Sequence, residues 1–228
     1  MVPQNEISNI RIKFKKYGSL MYISHLDLAK TMQRIMIRAG IDIWYSEGFN
    51  PQPKIVFAVP LPVGVESECE YMDIKINSFM ECDEIKRRLN ANFPMEMQAL
   101  DVYVPEQKLK NVAYAEYEIK IHSNAVDNET PLKLKTLFSD DVFVTKKSKG
   151  NEKEINIKDF IHSFEAQMCD GDVVINTVVC SGSDKNLNPE LVVDAIRKNT
   201  ALLNGPLDEE FYSIMRKEML TSELTPFK

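Results

Sequence analysis

Between Asn9 and Gly40 the hydrophobic period of the chain changes once, and that change limits what the chain can fold into. "NIRIKFKKYG" alternates, with Ile10, Ile12 and Phe14 on one side and Arg11, Lys13 and Lys15 on the other. A period of two is the mark of a half-buried strand, here with a basic outer face. "LMYI" is read as its extension after a bend near Gly18. In "SHLDLAKTMQRIMIRAG" the apolar residues Leu28, Met32, Ile35, Met36 and Ala39 fall at helical spacing instead. Ser24 and Asp27 have capping-box spacing, and Gly40 is a natural stop. A strand passing straight into an amphipathic helix is the start of a β-α-β unit.

The rest of the chain extends that pattern. "IDIWYSEGFNPQPKIVFAVPLPVGVESECEYMDIKI" reads as strand, loop, strand, turn, strand. "ECDEIKRRLNANF" reads as a helix stopped by Pro94, and "MQALDVYVPEQ" as a closing strand. The order β-α-β-β-α-β is ferredoxin-like. A second series then begins, with a strand at "AYAEYEIKIHS" and a short helix at "ETPLKLKTLFSD". A hairpin is expected around Lys149-Gly150-Asn151, a helix at "IKDFIHSF" and a strand at "DVVINTVVC". "NPELVVDAIRKN" is a helix with Asn188 as cap, and "LDEEFYSIMRKEML" is expected as a last helix capped by Asp208. The fold class is therefore α+β, with two tandem ferredoxin-like domains and antiparallel sheets. Residues 1–107 form the first, with the basic helix and the Gly/Pro loop; residues 108–228 form a ferredoxin-like variant.

The net charge of −6 argues against general coating of nucleic acid, but the charge is unevenly spread. Residues 1–60 hold eight Lys/Arg against four Asp/Glu, a net of +4 that leaves −10 for the remainder. Such asymmetry can mark an anionic partner for one segment. Lys30, Arg34 and Arg38, at i, i+4 and i+8, make one basic helix edge. Together with the basic strand face, Lys54 and the aromatics Trp44, Tyr45 and Phe49, they suit a single-stranded nucleic acid or another phosphate-rich ligand. The alternative is that the charges are solvated faces and the aromatics are core.

Other chemistry has little support in the sequence. The four cysteines are scattered without a CxxC pair and read as reduced thiols, and three histidines are too few and too dispersed for a zinc site. Glu66, Glu68 and Glu70, with Asp73 nearby, read as a solvated turn rather than a metal site. No P-loop or GxGxxG occurs, and no cofactor is expected. His25 is the one weak catalytic candidate, as an acid or base on a bound backbone. No apolar run approaches the ~20 residues of a membrane helix and no secretory leader is visible, so a cytoplasmic location is expected.

The stretch "YISHLDLAKTMQRIMIRAGIDIWYSEGFNPQPKIVFAVPLPVGVESECEYMDI" resembles the radical-SAM-linked protein family. The resemblance rests on S-H-L-D-L at Ser24–Leu28, on Arg34 and Arg38, and on S-x-G-F-N-P-x-P-K-I from Ser46 to Ile55. It continues with P-L-P-x-G-x-x-S-x-x-E from Pro60 to Glu70. It implies a radical-SAM protein, encoded nearby or related to a fusion partner, that would supply any radical chemistry. The family pattern often has His between the two prolines where this chain has Gln52, so that position is read as a contact residue. Gly48, Gly64, Pro51 and Pro53 have backbone reasons to be there. The polar remainder, His25, Arg34, Arg38, Asn50 and Lys54, is the expected functional set. With Lys30, Phe49 and Gln52 it forms the candidate RNA-binding site. The function expected is a non-catalytic accessory protein that binds tRNA or rRNA and works with a radical-SAM partner. The alternatives are a protein-interaction subunit without nucleic-acid binding, and an endoribonuclease like those that process CRISPR transcripts, using His25.

Overall fold

The computed structural model describes residues 8–148, 151–206 and 208–228. The chain divides into two compact units, Met1–Val112 with Phe227–Lys228, and Ala113–Pro226. Each is a mixed α+β body in which every strand pair within it is antiparallel.

In the first unit, β1 (Ser8–Lys16) leads through a 3-10 turn (Gly18–Tyr22) to α1 (His25–Arg38). Then follow β2 (Ile55–Phe57), β3 (Glu66–Ile76), α2 (Cys82–Asn92) and β4 (Met97–Tyr103). The sheet order is β4-β1-β3-β2, with Ile12 opposite both Met72 and Val102. Ile10, Ile12 and Phe14 of β1 form one core with Leu28, Met32, Ile35 and Met36 of α1 and Ile85 and Leu89 of α2. Both helices thus lie on the same face of the sheet. Full burial of each such apolar side chain stabilises the fold by about 1.5–3 kcal/mol.

Local chemistry explains where α1 starts and stops. The Ser24 hydroxyl accepts from the Asp27 amide at 3.2 Å and donates to the Asp27 carboxylate at 2.7 Å. That carboxylate also stands in the first turn, at the positive end of the helix dipole. Gly40, at φ +64°, carries the chain out of the helix in a conformation a side chain would oppose. Two expectations fail here. "LMYI" is a 3-10 turn, because Gly18 at φ +61° breaks the strand. "IDIW" is no strand; Ile43 and Tyr45 make only single bridges, to Ile76 and Pro53.

The second unit holds β5 (Tyr114–His122), α3 (Thr130–Ser139), β6 (Phe143–Ser148) and β7 (Asn151–Asn156). It continues with β8 (Ile161–Cys169), β9 (Asp172–Cys180), α4 (Glu190–Asn199) and β10 (Phe211–Leu220). The sheet order is β10-β5-β9-β8, and β6–β7 form a separate hairpin. With the hairpin set aside, this is the fourth-first-third-second order of the first unit. Lys149 and Gly150, at the expected centre of the hairpin, lie outside the described residues.

Two helices expected in this unit are strands. "IKDFIHSF" is a 3-10 turn at Lys158–Phe160 that runs into β8. "LDEEFYSIMRKEML" contains β10, and Asp208 lies in a turn and caps nothing. Helix-forming residues give way because β10 finds a ladder with β5, pairing Ile214 with Ile119. Ahead of α4 the Asn188 side-chain oxygen accepts from the Glu190 amide at 3.2 Å, but Pro189, not the expected Asn188, stands at the N-cap.

Candidate nucleic-acid interface

The segment Ser46–Lys54 is a loop closed at its base by its own hydrogen bonds. The Ser46 amide donates to the Gln52 carbonyl at 2.9 Å, and the Gln52 amide donates back to the Ser46 hydroxyl at 3.0 Å. Tyr45 bridges Pro53 just below. Lys54 is held between two neighbours: its amide donates to the Trp44 carbonyl at 3.0 Å, and its carbonyl accepts from the Lys75 amide at 3.2 Å. Pro51 and Pro53 fix their own φ, and Gly48 takes φ +122°, where a side chain is disfavoured. This framework carries Phe49 into solvent at 111% relative exposure. The Asn50 side chain and the Lys54 ammonium have no hydrogen bond or ion pair among the described residues, and Glu47 adds one exposed carboxylate.

The other two aromatics are occupied. Trp44 is covered by the Lys75 ammonium, 5.4 Å from its ring, and Tyr45 accepts from the Gln33 amide of α1 at 3.4 Å. Gln33 therefore marks the shoulder of α1 that adjoins the loop. At about 100° per residue, Arg38 lies about 140° further round the helix. It donates to the Asn92 carbonyl of α2 at 2.9 Å. Arg34 and Arg38 thus occupy the opposite shoulder of α1 from the loop. Between them runs an exposed ridge of Leu26 (72%), Lys30 and Ile37 (62%).

Each cation of α1 remains available. Lys30 approaches Asp27 only at 4.0 Å, Arg38 spends one donor on a carbonyl, and Arg34 has no partner among the described residues. Arg34 and Arg38 line an open depression with Thr31 and Ile37.

The basic face of β1 does not join this surface. Since α1 and α2 cover the side of β1 that carries Ile12 and Phe14, Arg11, Lys13 and Lys15 point away from α1. Arg11 is not solvated at all (0%). Its guanidinium grips Asp73 through two bonds of 2.7 and 2.8 Å. It also donates to the carbonyls of Gln107 at 2.7 Å and Lys228 at 3.1 Å. The Phe227 ring lies 4.7 Å from it. Lys13 and Lys15 sit over the rings of Tyr71 and Tyr17. The expected solvated basic strand is therefore corrected: its leading residue is an internal strut.

His25 is exposed at the first turn of α1, and its ring meets the edge of Phe57 at 5.2 Å. Among the described residues no hydrogen bond orients it. It lies eight residues, about 12 Å of helix axis, from Gln33. The acidic residues of β3 are not a turn: Glu66 accepts from the Gly18 amide at 2.7 Å, Glu70 is buried, and Asp73 holds Arg11. Among the described residues no group of three or more His, Cys, Asp or Glu is placed to hold a metal ion, and no helix is long and apolar enough to cross a membrane.

One cluster escaped the sequence reading. In the second unit Asp172 joins Lys120 at 2.8 Å and His122 at 2.6 Å, and Phe211 stacks on His122 at 4.8 Å. The lysine, and after it the histidine, hold the Asp172 carboxyl below its usual range. Asp172 lies 50 residues from His122, and Phe211 fell in a segment read as helix, so no local spacing pointed to the cluster.

Among solved structures, the chain is similar to one chain of a Cbf5-Nop10-Gar1 complex (10% identity, 92% of this chain and 48% of that one, TM-score 0.47). It is also similar to a chain of an H/ACA RNP bound to a substrate RNA containing 2'-deoxyuridine (11% identity, 92% and 47%, TM-score 0.46). A third is an unknown protein from Galdieria sulphuraria (8% identity, 92% and 99%, TM-score 0.27). The chain spans about half the length of the first two. No curated protein matches the chain. A family model does match, over residues 9–189, which is most of the chain: the protein belongs to the family described as "Uncharacterized protein conserved in bacteria (DUF2344)".

Proposed function

We propose that this protein is a non-catalytic accessory protein that binds RNA, tRNA or rRNA, across α1 and the Ser46–Lys54 loop. One observation carries the reading: Arg34 and Lys54 are exposed cations without an anionic partner among the described residues, Lys54 at the end of a built loop that holds Phe49 in solvent and Arg34 on the other shoulder of α1. Phosphates supply the missing anions, and neutralising them releases counterions, which drives association. The identity of a radical-SAM partner rests on the sequence resemblance alone. The ferredoxin-like reading of both units rests on their shared strand order. A protein-interaction subunit is the second reading, favoured by the exposed Leu26 and Ile37 on the ridge of α1. Among the described residues His25 has an aromatic edge beside it and no hydrogen bond, which gives the endoribonuclease reading no base held in place by a partner.

The test is a titration of labelled tRNA over a range of salt. Wild type binds at low salt and weakens as salt rises. In Arg34→Ala with Arg38→Ala, the slope of log affinity against log salt falls by about 1.4, two single-strand phosphate contacts. Absence of binding at low salt, or a double variant that matches wild type, overturns the reading.

A further inference from the structure

We propose that Phe49 is a stacking platform for one unpaired base, so that the site selects single-stranded over duplex RNA. The inference rests on RNA binding by α1 and the loop, and adds the form of RNA that is taken. A phenylalanine left fully in water forgoes the burial that most aromatic side chains obtain. Here the loss is maintained by construction, because Ser46–Gln52, Tyr45–Pro53 and Gly48 fix the loop that presents it. A preformed platform does not have to be ordered on binding.

The surroundings identify the occupant. Phe49 is followed by Asn50, whose side-chain amide has no hydrogen bond among the described residues, by Gln52, whose side-chain amide donates to the Asn50 carbonyl at 3.5 Å, and by Lys54. An aromatic face, exposed side-chain amides and a cation match the three parts of a nucleotide: the π-face of the base, its hydrogen-bonding edge and its phosphate. An aromatic cannot reach a base face within a duplex. The faces are covered by stacking, and the A-form major groove is too deep and narrow for side chains. The path to the remaining cations makes the same demand. Arg34 and Arg38 lie on the far shoulder of α1 from the loop, with Lys30 on the ridge between. Contact with both shoulders requires a chain that bends over a helix about 10–12 Å thick, which a single strand does readily.

The experiment compares a labelled oligouridine of about 12 nucleotides with the same strand annealed to its complement, by fluorescence anisotropy. Phe49 is fully exposed, so its variants fold. Phe49→Ala is expected to weaken oligouridine binding about 5- to 150-fold, without changing the salt slope. Phe49→Trp keeps the affinity, and its added indole fluorescence is quenched by the bound base. Duplex binding is weaker in wild type and indifferent to Phe49→Ala. If Phe49→Ala binds oligouridine as wild type does while Arg34→Ala with Arg38→Ala does not, the platform is overturned and RNA binding stands. Equal dependence of duplex and single strand on Phe49 also overturns it. If wild type binds neither RNA at low salt, the proposed function itself has failed.

Discussion

Two rows of basic residues, one on β1 and one on α1, look alike in the sequence and have opposite fates. Arg11, Lys13 and Lys15 fall at strand spacing, and Lys30, Arg34 and Arg38 at helical spacing. Arg11 is buried under Phe227 with a carboxylate and two carbonyls, whereas Arg34 reaches into solvent with no partner among the described residues. Two lysines of a second helix sharpen the contrast. On α3, Lys133 pairs with Asp127 at 2.9 Å and Glu129 at 3.2 Å, and Lys135 pairs with Glu165 at 2.6 Å. Spacing locates a basic row; only its counter-charges show whether it holds the fold together or awaits a ligand.

The largest effect that could break this contrast is on stability. Arg11→Ala leaves Asp73 half-buried without its cation and two carbonyls without a donor, and is expected to cost about 3–5 kcal/mol. Arg34→Ala, at an exposed site, is expected to stay within about 0.5 kcal/mol of wild type. Urea denaturation measures both, and similar midpoints for the two variants would erase the distinction between the rows.

A smaller effect concerns α3. Lys133, and after it Thr130, hold the Asp127 carboxyl down to about 2 from its ordinary 3.8. Since the folded value is the lower one, the stabilisation is complete above 3.8 and disappears as pH falls through about 2. An NMR titration of the Asp127 carboxyl is expected to show a midpoint near 2 in wild type and a return toward 3.8 in Lys133→Ala. Equal midpoints would remove α3 from the comparison.

How much of this was legible in the sequence follows from the distances involved. The cap at Ser24, the stripe from Leu28 to Met36 and the tied loop around Phe49 depend on contacts within a few residues, and each could be read locally. The fate of Arg11 could not, because one of its acceptors, the Lys228 carbonyl, is 217 residues away. The period of β1 did show which face the helices cover, the one with Ile10, Ile12 and Phe14, but not that Arg11 on the other face is buried as well. The segment Phe211–Leu220 has helix-forming residues, and its pairing with Tyr114–His122 decides against them. The joint surface expected from strand, helix and loop failed for a related reason. The three follow one another in the chain, but the sheet puts the strand's basic side behind the core, and Gln33 and Arg38 divide helix and loop between two shoulders.

The most direct test of the central claim, that the free basic row of α1 and the neighbouring loop form the binding surface while the row on β1 does not, is to map RNA on the backbone. Amide shifts recorded during titration with a short oligouridine are expected to move in Lys30–Arg38 and Ser46–Lys54 and to stay still in Arg11–Lys15. Movement centred on Lys13 and Lys15, or confined to the second unit with α1 silent, would contradict it.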